Sequence, residues 1–195
     1  LIEKCSISGL IDEEYLKKFD CGENSVNEFL TGCSKKYASE DLRETTLFYE
    51  TECKKIIGYY SVVSSIVEVK TEYDVKQFRD KDTMPEDHPL NAVFPAIEIS
   101  WFGVSKEWQR KHIGAGMMLQ LFKDLVNVRY LCGVGFTVVV VDSLPGAIEF
   151  YERYGFKYLH QDYDNPNGMQ MPKDYPMFLD FEKMVKIYER AAKSN

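Results

Sequence analysis

A run of apolar, strand-forming residues from Phe94 to Val104 passes within a few residues into a helical stripe that starts at Ile113. No other junction restricts the fold as much, because the chain must leave a sheet, turn and enter a helix in one short loop. That loop carries Gln109, Arg110 and Lys111, and Gly114 and Gly116 follow at the helix start. Glycine lets a bound group approach the backbone closely, since a Cβ would stand in the way. The first N–H groups of a helix lack intrahelical acceptors, and the helix dipole makes that end positive. With two cationic side chains added, the junction reads as a grip for a diphosphate. A plain helix start with solvated Lys and Arg satisfies the same pattern, so the loop alone leaves both readings open.

One domain spanning 1–195 is expected, since 195 residues suffice for a single sizeable core. The 13 Tyr and 12 Phe argue against disorder. No apolar run reaches the ~20 residues of a membrane span, and the N-terminus does not read as a secretion signal. The five cysteines are odd in number and form no Cys-x-x-Cys pair, so reduced thiols and a cytoplasmic setting are expected. His88, His112 and His160 are scattered without ligand spacing, and no metal is expected. The net charge of −7 disfavours a polyanionic partner by default. Lys35-Lys36, Arg43, Lys54-Lys55 and Lys106 to Lys111 are the clusters that could form a local basic patch, although a solvated face explains each one separately.

Along the chain, Glu3 to Ile7 reads as a strand and Asp12 to Lys18 as a helix. Asn24 or Ser25 is placed to cap a helix over Val26 to Tyr37. Thr45 to Glu50 and Ile56 to Val69 read as an antiparallel pair turning at Glu52 to Lys55. Residues 71–92 are polar, with two prolines, and read as an insertion or flap. After the opening junction, a helix from Ile113 should end near Asn127. Phe136 to Val141 forms a strand buried on both faces. Pro145 starts another helix, which Gly155 stops. Phe156 to His160 and Met177 to Phe181 are final strands, and Phe181 to Lys193 is a C-terminal amphipathic helix. The order implies an α/β (α+β) chain with a mixed sheet.

Two stretches in sequence, Gln109-Arg-Lys-His-Ile-Gly114 and Ala147-Ile-Glu-Phe-Tyr151-Glu-Arg-Tyr-Gly155-Phe156, each follow a strand. Together they resemble the GNAT superfamily of acyl-CoA-dependent N-acyltransferases, most strongly over 97–156. That resemblance implies a mostly antiparallel central sheet flanked by helices, with acetyl-CoA as co-substrate. The Phe19-Asp-Cys-Gly-Glu-Asn24 segment and Ile57-Gly-Tyr-Tyr-Ser61 resemble the acetyltransferase toxins of bacterial toxin–antitoxin pairs. This finer likeness implies a bacterial, toxin-type enzyme and an antitoxin partner, and a homodimer is left open.

By motif position, the resemblance implies that Phe102, Gly103 and Val104 bond the pantetheine arm. It places the diphosphate on Gln109, Arg110, Lys111, His112, Ile113, Gly114 and Ala115. Tyr151 would protonate the departing thiolate, and a phenol lies above a thiol in reference pKa. Glu98, a carboxylate in an otherwise apolar strand, parallels a residue of the histone-acetyltransferase branch that deprotonates the amine through water. A solvent-facing Glu at a sheet edge and a Tyr packed in the core are the bland readings of these two. Two positions depart from the pattern: His112 stands where a glycine is usual, and Leu144 where many members carry Asn. The acceptor implied is a primary amine on aminoacyl-tRNA, a protein or a small molecule. A metabolic or protein acetyltransferase outside toxin systems is one alternative. A non-catalytic CoA-binding module, suggested by His112 and Leu144, is the other.

Overall fold

Seven strands are present among the described residues of the computed structural model, which are 2–9, 14–52, 55–69, 92–159 and 173–194. They are β1 (Ile2–Ser6), β2 (Glu44–Glu50), β3 (Lys55–Val69), β4 (Ala92–Val104), β5 (Val138–Ser143), β6 (Lys157–Tyr158) and β7 (Tyr175–Asp180). They form one mixed sheet in the order β1-β2-β3-β4-β5-β7-β6. The β1–β2, β2–β3, β5–β7 and β6–β7 pairs are antiparallel, whereas β4 and β5 are parallel. Helices flank the sheet and one follows it at the C-terminus, which is the α+β architecture the sequence implied. The helices are α1 (Glu14–Lys17), α2 (Asn24–Glu28), α3 (Ser34–Ser39), α4 (Ile113–Tyr130), α5 (Ile148–Glu152) and α6 (Phe181–Ser194). A π-helical turn, Phe29–Cys33, joins α2 to α3.

The chain divides into two compact units, Leu1–Val63 with Ile99–Leu121, and Ser64–Glu98 with Phe122–Asn195. In the first, aromatic side chains organise the core around Phe29. It stacks on Trp101 at 4.7 Å and on Tyr59 at 6.1 Å, while Phe19 meets Tyr59 edge-on at 5.4 Å. The buried Tyr59 hydroxyl donates to the Val26 carbonyl at 2.7 Å, so its polar end is satisfied inside the core. Two glycines permit this packing. A Cβ on Gly58 would stand 2.6 Å from Met117 Sδ and 2.7 Å from the Gly103 carbonyl. One on Gly103 would stand 2.9 Å from Val26 Cγ1.

In the second unit, Val67, Phe94, Ala96, Val138 and Phe178 pack together with Val140 and Leu159. Phe181 opens α6 and is met edge-on by Phe136 at 5.0 Å, with the Arg129 guanidinium 4.4 Å over its ring. Arg129 also donates to the Phe136 carbonyl. Phe136 is therefore buried by tertiary contacts just ahead of β5, which starts at Val138 rather than at Phe136. Similarly, Phe181 belongs to α6 and not to the last strand, because Asp180 Oδ1 accepts from the Glu182 and Lys183 N–H groups and begins the helix. β6 is shorter than the predicted 156–160 strand, and α4 runs on to Tyr130.

The helix read over Val26 to Tyr37 begins at Asn24, with Glu23 at the cap position and no side-chain cap bond. Asn24 and Ser25 are inside it, so neither is the cap expected. The 71–92 insertion lies outside the described residues except for Ala92, which opens β4.

Candidate active site

The junction predicted to grip a diphosphate is built from the end of β4, a short 3-10 turn (Lys106–Trp108) and the start of α4. Its base is fixed by the Phe19–Gly22 segment. The Asp20 carboxylate accepts from Gly22 N–H (2.8 Å) and Asn27 Nδ2 (3.0 Å) through one oxygen, and from Lys106 Nζ (2.8 Å) through the other. The Lys106 N–H donates to the Asp20 carbonyl at 2.8 Å. The ammonium of Lys106, with the two N–H donors, holds the Asp20 carboxyl below the usual range. Gln109 Nε2 donates to both the Cys21 carbonyl (2.7 Å) and the Val104 carbonyl (2.9 Å). Its backbone N–H donates to the Ser105 carbonyl at 3.1 Å. The donors of Gln109 are thus engaged within the protein, and the residue acts as a clamp beneath the loop.

The backbone above that clamp is unusual. Arg110 and His112 have φ of 59° and 60°, a left-handed conformation that L residues other than Gly rarely adopt. Alternating left-handed residues turn successive N–H groups toward one side, which makes an anion-binding concavity. His112 therefore keeps the conformation a glycine would supply. Its carbonyl accepts from the Gly116 N–H at 3.1 Å, the first α-helical bond, leaving the N–H groups of Ile113, Gly114 and Ala115 in the unpaired first turn. Arg110, Lys111 and His112 are all exposed. Lys111 Nζ lies 5.3 Å over the Trp108 ring, and Glu107 pairs with Lys55 at 2.8 Å. Within the predicted basic patch, Lys106 and Lys55 are thus matched by carboxylates, whereas Arg110 and Lys111 form no ion pair among the described residues.

Of the three β4 residues implied for the pantetheine arm, Gly103 is buried against Phe19, Val26 and Tyr59. Its lack of a side chain serves that packing. Phe102 and Val104 are half-buried, and the next N–H, from Ser105, donates to the Ile57 carbonyl at 2.8 Å.

Glu98 and Tyr151 belong to the second unit. Glu98 lies on β4 opposite Val140 of β5, in the interior of the strand order rather than at its edge. It is half-buried, and Ser65 Oγ donates to its carboxylate at 3.3 Å. Asp142, two residues beyond Val140, has its carboxyl raised above the usual range by burial, and then by the charges of Glu98 and Asp174. Tyr151 sits on α5 and is 5% exposed, with Phe150 and Phe156 edge-on at 5.3 and 5.4 Å. Burial pushes its phenol well above the ordinary value, so it carries its proton throughout the neutral range. Gly155, with φ of 79°, ends the helix and lets the Phe156 N–H return to the Tyr151 carbonyl at 3.3 Å. Leu144 precedes the 3-10 turn at Pro145, and its carbonyl accepts from Ser143 Oγ (3.0 Å) and Ala147 N–H (2.9 Å).

Among the described residues no cluster of His, Cys, Asp or Glu could hold a metal, and no helix is long and apolar enough to cross a membrane. The acetyltransferase (GNAT) family matches residues 27–156. No curated protein sequence matches the chain. Among solved structures, a bacterial toxin is similar at 20% identity, with a TM-score of 0.77 over 97% of this chain and 96% of that one. AtaT complexed with acetyl-methionyl-tRNAfMet is similar at 17% identity and TM-score 0.71, over 96% and 99%. A tyrosine-to-phenylalanine mutant of the AtaT toxin, bound to the C-terminus of the antitoxin AtaR and acetyl-CoA, is similar at 15% identity and TM-score 0.67, over 96% and 98%.

Proposed function

Because the chain belongs to the acetyltransferase (GNAT) family, we propose that it transfers an acetyl group from acetyl-CoA to a primary amine by direct attack, with aminoacyl-tRNA as the acceptor. The observation that carries the reading is the left-handed backbone at Arg110 and His112 ahead of α4. It supplies the anion-binding loop at the point where the family pattern has its glycine. The same observation fits His112 to a CoA-binding loop. The acceptor rests on the likeness to AtaT, whose complex contains acetyl-methionyl-tRNAfMet. An antitoxin partner rests on the AtaR complex in the same way. The net charge of −7 favours the second reading, a protein or small-molecule amine as acceptor.

Bound acetyl-CoA supplies an acyl group activated as a thioester. Arg110, Lys111 and the N–H groups from His112 to Ala115 would hold its diphosphate, and the β4 backbone at Phe102 to Val104 its pantetheine arm. Holding both substrates in contact removes the need for a covalent enzyme intermediate. The amine nitrogen forms the C–N bond as the C–S bond breaks. Glu98 takes the proton released from nitrogen through water, and the Tyr151 phenol gives its proton to the thiolate.

The test combines the protein, acetyl-CoA and total aminoacyl-tRNA, with mass spectrometry of the released aminoacyl groups. N-acetylated product is expected from the parent. Tyr151→Phe should lower turnover by about 10²-fold or more, with acetyl-CoA affinity nearly intact. Unchanged turnover would remove Tyr151 from the mechanism. Acetylation confined to proteins or small amines would favour the second reading.

A further inference from the structure

β3 is 15 residues long, but only its first part runs beside β2. The β2–β3 ladder ends with Glu44 opposite Val62, because β2 begins at Glu44. The sheet order puts only β2 and β4 next to β3. Over 63–69, therefore, no strand among the described residues lies along the edge of β3 that faces away from β4. The N–H and C=O groups turned to that edge have no ladder partner.

The two terminal edges of the sheet are protected in ways that discourage pairing. β1 has only five residues with Lys4 among them, and β6 has only two. Residues 63–69, Val-Ser-Ser-Ile-Val-Glu-Val, contain neither Pro nor Lys and carry a single charge, at Glu68. High β-propensity with little charge and no Pro is the pattern of a segment that pairs with its own kind. The bulge between β2 and β3 falls at Phe48 and Tyr49, against the beginning of β3, so it does not blunt this stretch. Val67 packs with Phe94 and Ala96, and by alternation Ile66, Val93 and Pro95 turn to the other face. There Ile66 is 61% and Val93 54% exposed, and Pro95 is exposed beside them.

We propose that the 63–69 edge of β3 pairs antiparallel with the same edge of a second copy of this chain, across a two-fold axis at Ile66. A two-fold interface sets one patch against itself, so the segment must be complementary to its own reverse. Centring the pair on Ile66 uses the whole bare edge, whereas any other centre shortens the ladder or runs into residues already paired with β2. In this register Ile66 faces the partner's Ile66, Ser64 faces the partner's Glu68, and Ser65 faces the partner's Val67. The central pair covers exposed aliphatic surface, the Ser64 hydroxyl gains a carboxylate to donate to, and no like charges meet.

A ladder of this length is small beside the roughly 800 Å² per partner of a standard interface, so the dimer forms and dissociates reversibly with concentration. The edge shares no residue with the diphosphate loop or with Glu98 and Tyr151. Pairing and acetyl transfer therefore stand or fall separately.

Sedimentation velocity of the full chain over a concentration series tests the pairing, and a reversible monomer–dimer equilibrium is expected. Ile66→Lys sets two ammonium groups against each other at the two-fold axis and should weaken the dimer at least tenfold. Its monomer should melt like that of the parent, because Ile66 is exposed there. Ile66→Cys reads the register. Directly opposed residues of an antiparallel pair have Cα atoms about 4.5–5.5 Å apart, within the ~4.4–6.8 Å that a disulfide spans. Mild oxidation should then link two copies through position 66, distinguished from the native cysteines by mass spectrometry of the linked peptide. Ser64→Cys should not link to itself, since the two copies of position 64 lie about 13 Å apart along the strands. A parent that stays monomeric at every concentration overturns the pairing and leaves the edge to some other chain. So does a dimer undiminished by Ile66→Lys, an Ile66→Cys protein that does not link through position 66, or equal linking through Ser64→Cys.

Discussion

His112 holds a left-handed backbone, with φ of 60°, at the place where the family pattern has glycine. Among L residues, His is one of the few enriched there, whereas a β-branched side chain meets its own carbonyl. Replacement by glycine removes the strain but adds freedom to the unfolded chain. His112→Gly should therefore change stability by less than about 1 kcal/mol and leave acetyl-CoA affinity equal or tighter. His112→Val should lose about 1–2 kcal/mol and weaken the cofactor, as measured by denaturant unfolding and calorimetric titration. A stable, tightly binding His112→Val would mean that the left-handed conformation is not what forms the loop. The departure was legible in the sequence as an irregular residue. Its consequence was not, because nothing in a side chain's identity states the φ its neighbours impose.

At the scale of elements, the loop is held by a segment distant in sequence. Gln109 ties the loop to the Cys21 and Val104 carbonyls, and Lys106 ties it to Asp20. Removing the two amide bonds in Gln109→Ala should cost about 1–3 kcal/mol, at about 0.5–1.5 kcal/mol per bond. Acetyl-CoA affinity should fall as well, because the loop loses the clamp beneath it. A variant with unchanged melting temperature and affinity would contradict the clamp. The parallel pairing of β4 and β5 has a consequence for pH, through Glu98 and Asp142. Burial and neighbouring carboxylates raise the Asp142 carboxyl in the fold. Ionisation is then less favourable in the folded than in the unfolded chain, so stability is lost as pH rises through the raised value. Asp142→Asn should melt higher than the parent at about pH 7, with the gap closing toward about pH 4, near the ordinary aspartate value. Equal melting curves across that range would contradict the pairing.

For the whole molecule, element order was largely readable from periodicity, and the mixed sheet followed from it. The strands at 44–50, 55–69 and 92–104 and the helix at 113–130 depend on patterns of apolar residues that are local. The errors lie where tertiary contacts decide. Phe136 is apolar and β-forming, yet it packs against Phe181 and receives the Arg129 bond ahead of the strand. The π-helical turn at Phe29 is hidden within an apolar stripe that an uninterrupted α-helix would also produce. The site was legible as two motifs, whereas the Asp20–Lys106 and Gln109–Cys21 contacts were not, since each joins residues more than 80 positions apart.

Acetyl-CoA binding through the loop at 109–115 is read out by thermal unfolding with and without the ligand. A ligand that binds only the folded state at 100 times its dissociation constant adds about 2.7 kcal/mol. The melting temperature should rise with acetyl-CoA concentration in the parent and not in Gly114→Glu, where added bulk and negative charge oppose the diphosphate. No rise in the parent protein at millimolar acetyl-CoA would contradict binding through the loop.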